Sequence, residues 1–252
     1  MIGVTVKRER AQAHLDELGK AVEAFMQEDA HRVFTDLDLD EGEAVAISGV
    51  QDWRREEMWG AILGDVVHNL RSSLDHLTYQ LACLVRDPPK CKTEFPIFWE
   101  PSKFKNARIG CLAKCDRDRM LYHQPFTRYP DDPKSHPLWS LHQLDVDDKH
   151  NVLNVTAVVA SFRTLTPVCR DMEIVGVTEF PRQDSLKSGA VLARYKVRQT
   201  GPHPEIHVNA EGTFSVVLGK GTGAEYQGLF KTAFAIRDAV GVVTGDFSER
   251  FR

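Results

Sequence analysis

Leu63, Val67, Leu70, Leu74, Leu77 and Leu81 recur at alternating spacings of 4 and 3 residues. That is the apolar stripe of a helix lying in a core, and it constrains the fold more than any other feature of the chain. The segment that carries it, GDVVHNLRSSLDHLTYQLACLV over 64–85, has an unusual opposite face. At about 100° per residue, Asp65, His68, Ser72, Asp75, His76 and Tyr79 share an arc of roughly 100°, with Arg71 and Asn69 at its flanks. A face built only for water normally carries Lys and Glu, which are strong helix formers. From Leu63 to Val85 there is neither. Short acids and imidazoles titrate, coordinate metals and form directional hydrogen bonds. The pattern predicts a second buried or cleft-facing surface on this helix.

The chain has 252 residues, 42% hydrophobic and 27% charged, with a net charge of −4. That is the composition of a globular protein able to bury a core. It excludes a protein that grips nucleic acid by bulk charge, so any such contact must be local. No apolar run approaches the ~20 residues of a membrane span. The opening MIGVTVKRERAQAH has no hydrophobic core of a signal peptide. Five cysteines at irregular spacing make no disulfide framework. A cytoplasmic protein with reduced thiols and no membrane partner is the expectation.

In chain order, Lys7 to Gln27 reads as an amphipathic helix with Ala11, Leu15, Leu18, Val22, Phe25 and Met26 inward. His31 to Leu37 and Glu43 to Trp53 read as a hairpin turning at Asp40, Glu41 and Gly42. The key helix begins near Arg54 or Arg55 and stops at Val85, before Asp87-Pro88-Pro89. FPIFW (95–99) is an apolar knot suited to plug a groove. Ile109 to Tyr122 reads as a helix ended by HQPF (123–126), and four prolines between 125 and 137 mark a long loop. Leu138 to Leu153 reads as a second important helix, dense in polar groups at His142, Asp145, Asp148 and His150. Four β-rich runs follow, at 155–162, 171–180, 190–197 and 206–218, and their short connections suggest an antiparallel meander. Ala224 to Val243 is the last helix.

The expected fold class is therefore α+β, a helical bundle core with an antiparallel β-sheet and a closing C-terminal helix. The chain is taken as one compact domain, 1–252. Within it, 1–53 is the N-terminal helix and hairpin, 54–153 the helical core with the polar cluster, and 154–252 the sheet and last helix.

Three readings of the cluster stand. Arg71 and His76 form an R-x4-H pair. Arginine binds phosphate and histidine moves protons, and two copies in a symmetric dimer can bring such pairs onto one scissile phosphate. In this respect the helix resembles the HEPN superfamily, which implies RNA processing or a toxin or defence role, with RNA and a second copy of the chain as partners. Ser72 stands where that superfamily generally has Asn, Asp or His after the arginine. More broadly, GDVVHNLRSSLDHL, EFPIFW, HQPF and LDVDDKHNVL resemble, in that order, a family of uncharacterised bacterial proteins with a GD-x-x-HNLRS-x-LDH helix and a later LD-x-x-DKH segment. That likeness implies no activity.

On the ribonuclease reading Arg71 holds phosphate, His76 is the general acid/base, and Asp75 and His68 assist. Asn69, Ser72, Asp148, Lys149 and His150 would line the substrate, with no metal and no cofactor. The second reading is a metal-dependent hydrolase using His68, Asp75, His76, Asp148 and His150. Against it, His68 and His76 are about 12 Å apart along the axis. The third is a non-enzymatic binding or scaffold protein in which the cluster is a structural network and Arg71 pairs with Asp75. The basic stretch of Lys103, Lys105, Arg108, Lys114, Arg117 and Arg119 is either an RNA contact or a solvated face. GKGTG (219–223) can cradle an anion or be a plain turn, and Cys111-x3-Cys115 with Cys91 lacks zinc-ribbon spacing.

Overall fold

The computed structural model describes residues 1–27, 33–48, 53–90, 93–153, 155–179, 190–219 and 227–251. The fold is α+β. Helix α1 covers Ile2–Gln27, strands β1 (Val33–Asp38) and β2 (Glu43–Ser48) form a hairpin, and α2 runs from Trp53 to Val85. Short helices α3 (Pro101–Lys105), α4 (Lys114–Tyr122) and α5 (Pro125–Arg128) lead through a 3-10 turn at Pro133–Ser135 to α6 (Pro137–Asp148). Strands β3 (Val155–Arg170), β4 (Met172–Glu179), β5 (Val191–Gln199) and β6 (Glu205–Leu218) precede α7 (Leu229–Asp246). Residues 220–226, which hold most of GKGTG and the expected start of the last helix, lie outside the described residues, as does Cys91.

The chain divides into two compact units. Residues 1–20, 57–155 and 218–252 form the helical unit, and 21–56 with 156–217 form the sheet unit. The boundaries at 53 and 153 suggested by the sequence do not coincide with these, because α1 and α2 each contribute residues to both.

In the helical unit the stripe on α2 is buried throughout: Leu63, Val67, Leu70, Leu74, Leu77 and Leu81 join Trp59 and Val66 in the core. Val4, Ala11, Leu15 and Leu18 of α1 are buried as well. Helix α6 packs on α7, whose Leu229, Ala233, Ile236, Val240 and Val243 are buried. Of FPIFW, Phe95, Pro96 and Ile97 are buried and Phe98 and Trp99 half-buried. Two expected helices are shorter than the sequence suggests. Residues 109–113 form a turn, with the Leu112 amide on the Ile109 carbonyl and Arg117 Nη1 donating to the Gly110 and Leu112 carbonyls, so α4 starts at Lys114. Helix α6 ends at Asp148, where the His150 and Asn151 amides both turn back to the Asp147 carbonyl. The proline-rich loop is broken up by α5 and the 3-10 turn, each begun by a proline whose missing N–H costs nothing at that position.

In the sheet unit the strands do not make a meander. One sheet has the order β1-β2-β5-β4 and the other pairs β3 with β6. The hairpin pairs Phe34 with Ile47, and β2 then pairs antiparallel with β5, placing Ala44 beside Tyr195. Strands β4 and β5 are antiparallel neighbours, with a register shift between Ile174 and Gly176. Asp171, at φ 51, separates β3 from β4 and accepts through its carbonyl from the Thr200 amide. Ala44, Ala46, Leu192, Tyr195, Ile206 and Val208 form this unit's core, with Leu165 and Cys169 packed against it. Pairing partners far apart in sequence leave no local signature, which is why spacing alone suggested the simpler topology.

Cys111 is disulfide-bonded, whereas Cys83, Cys115 and Cys169 are free. The expectation of uniformly reduced thiols therefore does not hold. Among the described residues no helix is long and apolar enough to cross a membrane.

Candidate functional site

The polar residues of α2 lie in the helical unit and are divided between two neighbours. Arg71 is only 8% exposed. Its Nη2 donates to the Phe95 carbonyl at 2.8 Å and lies 3.1 Å from Asp75 Oδ1. Asp75 Oδ1 in turn accepts from the Phe95 amide at 2.8 Å. One i, i+4 pair on a helix thus satisfies both backbone groups of one residue in an extended segment. The next residues of that segment are held from the other side. Gln124, fully buried, donates through Nε2 to the Pro96 and Met120 carbonyls, at 2.8 and 3.1 Å, and accepts from the Phe98 amide at 3.0 Å. An irregular segment has no ladder of its own, and its buried amides and carbonyls must find partners. Here Arg71, Asp75 and Gln124 supply them.

Along the same edge, α2 is approached closely by the end of α6 and the residues after it. Gly60 and Gly64 form a notch: a Cβ on Gly60 would fall 2.0 Å from the Leu153 carbonyl oxygen, and one on Gly64 would fall 2.1 Å from Asp148 Oδ1. One turn beyond Gly64, His68 Nδ1 lies 3.9 Å from Oδ1 of Asp145, a residue 4% exposed. Lys149 Nζ holds the other oxygen of Asp145 at 2.6 Å. The Ser72 hydroxyl is 3.4 Å from His68 Nε2. On the opposite edge α2 meets α1. Lys7 Nζ donates to Asn69 Oδ1 at 3.3 Å, and the His76 ring sits over Gly3, its Nδ1 2.7 Å from where a Cβ would be.

The charges report the same packing. Burial pushes the Asp75 carboxyl above its ordinary value, and the adjacent Arg71 offsets this only in part. Burial, then the Arg71 charge, lowers His142 of α6. Burial, then the neighbouring Asp145 and Asp65, raises Asp148. Arg71 Nη1 is buried with no hydrogen-bond partner among the described residues. Around Arg71 burial thus works against charge on both His142 and Asp75, and the Arg71 guanidinium offsets it for the carboxylate while adding to it for the imidazole.

The expected site residues separate accordingly. Arg71 and Asp75 come together, but over the backbone of Phe95. His76 is exposed on the α1 side, so Arg71 and His76 of one chain do not converge. Asp148 lies against Gly64 and His76 against Gly3, and twelve residues of helix, about 18 Å of rise, separate those two contacts on α2. His150 is exposed, outside both groupings. His68 and Lys149 flank Asp145, and Ser72 lies against His68. The arc expected to be buried or in a cleft is instead largely open, since Asp65, His68, His76 and Tyr79 are exposed. Short polar residues suit it because the neighbouring chain passes close on both edges.

Three residues important here were not among the expected site residues. Asp145 and His142 were legible only as polar positions in a helix, and Gln124 only as part of HQPF. The basic stretch is largely committed to local structure. Lys103 pairs with Glu100 at 3.5 Å, Lys114 with Asp118 at 3.5 Å, Arg117 binds two carbonyls, and Arg119 donates to the Asp246 carbonyl at 2.6 Å. Among the described residues no group of three or more His, Cys, Asp or Glu side chains is placed to hold a metal ion. No protein-family model, curated protein or solved structure matches this chain.

Proposed function

We propose that this is a binding or scaffold protein in which the Arg71 and Asp75 cluster is a structural network. The observation that carries the reading is that both side chains are spent on the Phe95 backbone. The guanidinium donates through Nη2 to a buried carbonyl beside its own carboxylate, and its remaining Nη1 is buried, so a phosphate reaches it only if the segment lets go. Gln124 strengthens the reading, since it serves the same segment from α4's end in the same way. The network fixes how α2 meets residues 95–98, and the open arc of α2 is then the face presented to a partner.

A ribonuclease reading is favoured by one feature, the exposure of His76 on that arc. It would need a second copy of the chain to bring another arginine to it. Incubating the purified protein with labelled total RNA in EDTA separates the two. On the binding reading no metal-independent cleavage is seen. Cleavage by the wild type that disappears in His76→Ala, at unchanged melting temperature, would overturn it.

A further inference from the structure

The open arc carries a second constellation that the Arg71 and Asp75 network does not use. Ser72 Oγ is 3.4 Å from His68 Nε2, and His68 Nδ1 is 3.9 Å from Asp145 Oδ1. Asp145 is buried, and its other oxygen is fixed by Lys149 at 2.6 Å. Hydroxyl, imidazole and buried carboxylate thus stand in the order in which nucleophilic catalysis uses them, with the carboxylate on the ring nitrogen remote from the hydroxyl. The order of residues in the chain does not matter to that logic; the geometry and the roles do. Two independent elements build it, since Ser72 and His68 are one turn apart on α2 while Asp145 comes from α6.

We propose that Ser72 is an acyl-accepting nucleophile, activated by His68 and directed toward activated carboxylic esters. The proposal goes beyond the binding role above and stands or falls separately from it. Asp145 is a positioning residue: at 3.9 Å from Nδ1 it favours the tautomer with the proton on that nitrogen once the two close, leaving Nε2 to accept from Ser72. As Ser72 Oγ bonds to the ester carbonyl carbon, its proton passes to Nε2. When the tetrahedral intermediate collapses, the bond to the alcohol oxygen breaks and His68 returns the proton to the leaving alcohol. Water, deprotonated by the same nitrogen, then cleaves the acyl-serine to carboxylic acid and regenerates the hydroxyl. The distances exceed those of a closed catalytic hydrogen bond, as they commonly do before substrate tightens the site.

The location on a regular helix sets the rate. The amides around Ser72 are engaged in the hydrogen bonds of α2, so they form no backbone oxyanion hole. Loss of one oxyanion donor alone costs an enzyme on the order of a hundredfold or more in turnover. Acylation by activated esters with slow release is therefore expected, with the exposed arc holding substrates unspecifically.

The test is covalent labelling of the full chain with an alkyl fluorophosphonate, in which the Ser72 oxygen bonds to phosphorus, fluoride leaves and His68 takes the proton. p-Nitrophenyl acetate serves as the turnover probe. A single adduct on Ser72 is expected by peptide mapping, absent in Ser72→Ala. Labelling in His68→Ala should be slower by about a hundredfold, the usual worth of a positioned base. Asp145→Asn should slow it as well, with partial rescue by Asp145→Glu, which a loss of packing alone would not give. Melting curves establish that each variant is folded. No adduct on folded wild type, an adduct elsewhere than Ser72, or an unchanged rate in His68→Ala would each overturn the proposal.

Discussion

Arg71 and Asp75 bracket a single residue of another segment: the guanidinium donates to the Phe95 carbonyl and the carboxylate accepts from the Phe95 amide. Two side chains one turn apart thereby act as a strand would, offering one donor and one acceptor to an extended backbone. The ion pair between them, at 3.1 Å, keeps both in that geometry. The consequences are testable because each group fails differently when altered.

Asp75 can lose its charge without losing its contact. In Asp75→Asn the side-chain oxygen still accepts from Phe95, whereas Asp75→Ala leaves that amide without its acceptor and a buried guanidinium without its counter-charge. Urea unfolding should show the alanine variant less stable by about 2–4 kcal/mol and the asparagine variant by about half as much. The titration has a definite sign. A carboxyl raised above its ordinary 3.8 contributes stability that is present below that value and lost as pH rises through the raised one. Asp75→Asn should remove this part of the stability profile on the acid side of neutrality.

His136 predicts the opposite slope. It caps the N-terminus of α6, its Nδ1 accepting from the Leu138 amide at 3.1 Å, with the Tyr129 ring 4.8 Å away. Burial lowers its pKa from 6.5 to about 4. The unfolded chain then binds a proton that the folded one refuses. Stability is full above 6.5 and lost as pH falls through that value toward 4, by about 3 kcal/mol at most. His136→Asn keeps a capping acceptor and removes the titration. Thermal melts between pH 4 and 7 should show a shallower loss for the variant.

Gln124→Leu keeps the volume and removes every polar contact of the side chain. The Pro96 and Met120 carbonyls and the Phe98 amide lose their partner together. A cost of about 2–4 kcal/mol is expected in equilibrium unfolding, more than one hydrogen bond is worth, because the groups left behind are shielded from water.

Gly60 and Gly64 separate a rigid obstacle from a movable one. An added methyl at Gly60 meets a backbone carbonyl, that of Leu153, and at Gly64 meets the carboxylate of Asp148. The side chain can rotate aside and the backbone cannot. Gly60→Ala should therefore destabilise by about 2–3 kcal/mol and Gly64→Ala by less than half of that, measured by urea unfolding.

Much of the architecture could be read from local pattern. The stripe from Leu63 to Leu81 specifies a buried helix, and α2 ends at Val85 as the following prolines require. The strand-forming runs at 155–218 are strands, though β3 continues to Arg170. What could not be read depends on partners distant in sequence. The pairing of β2 with β5, and of β3 with β6, needs contacts that no spacing encodes. At the site, Arg71 looked like a phosphate ligand because its partner is a peptide group twenty-four residues on, and a backbone carbonyl has no letter in a sequence. The open arc looked buried because its residues are short, yet the shortness serves the close approach of α6 at Gly64 and of α1 at His76.

The most direct measurement is the unfolding free energy of Arg71→Met, which keeps much of the stem while removing the guanidinium. If Arg71 is spent on the fold, the variant should lose about 2–4 kcal/mol, through an unpaired Phe95 carbonyl and an Asp75 without its counter-charge, while His76→Ala stays within about 0.5 kcal/mol of wild type. Wild-type stability in Arg71→Met, with a loss of RNA binding or cleavage, would contradict the structural assignment and return Arg71 to a ligand.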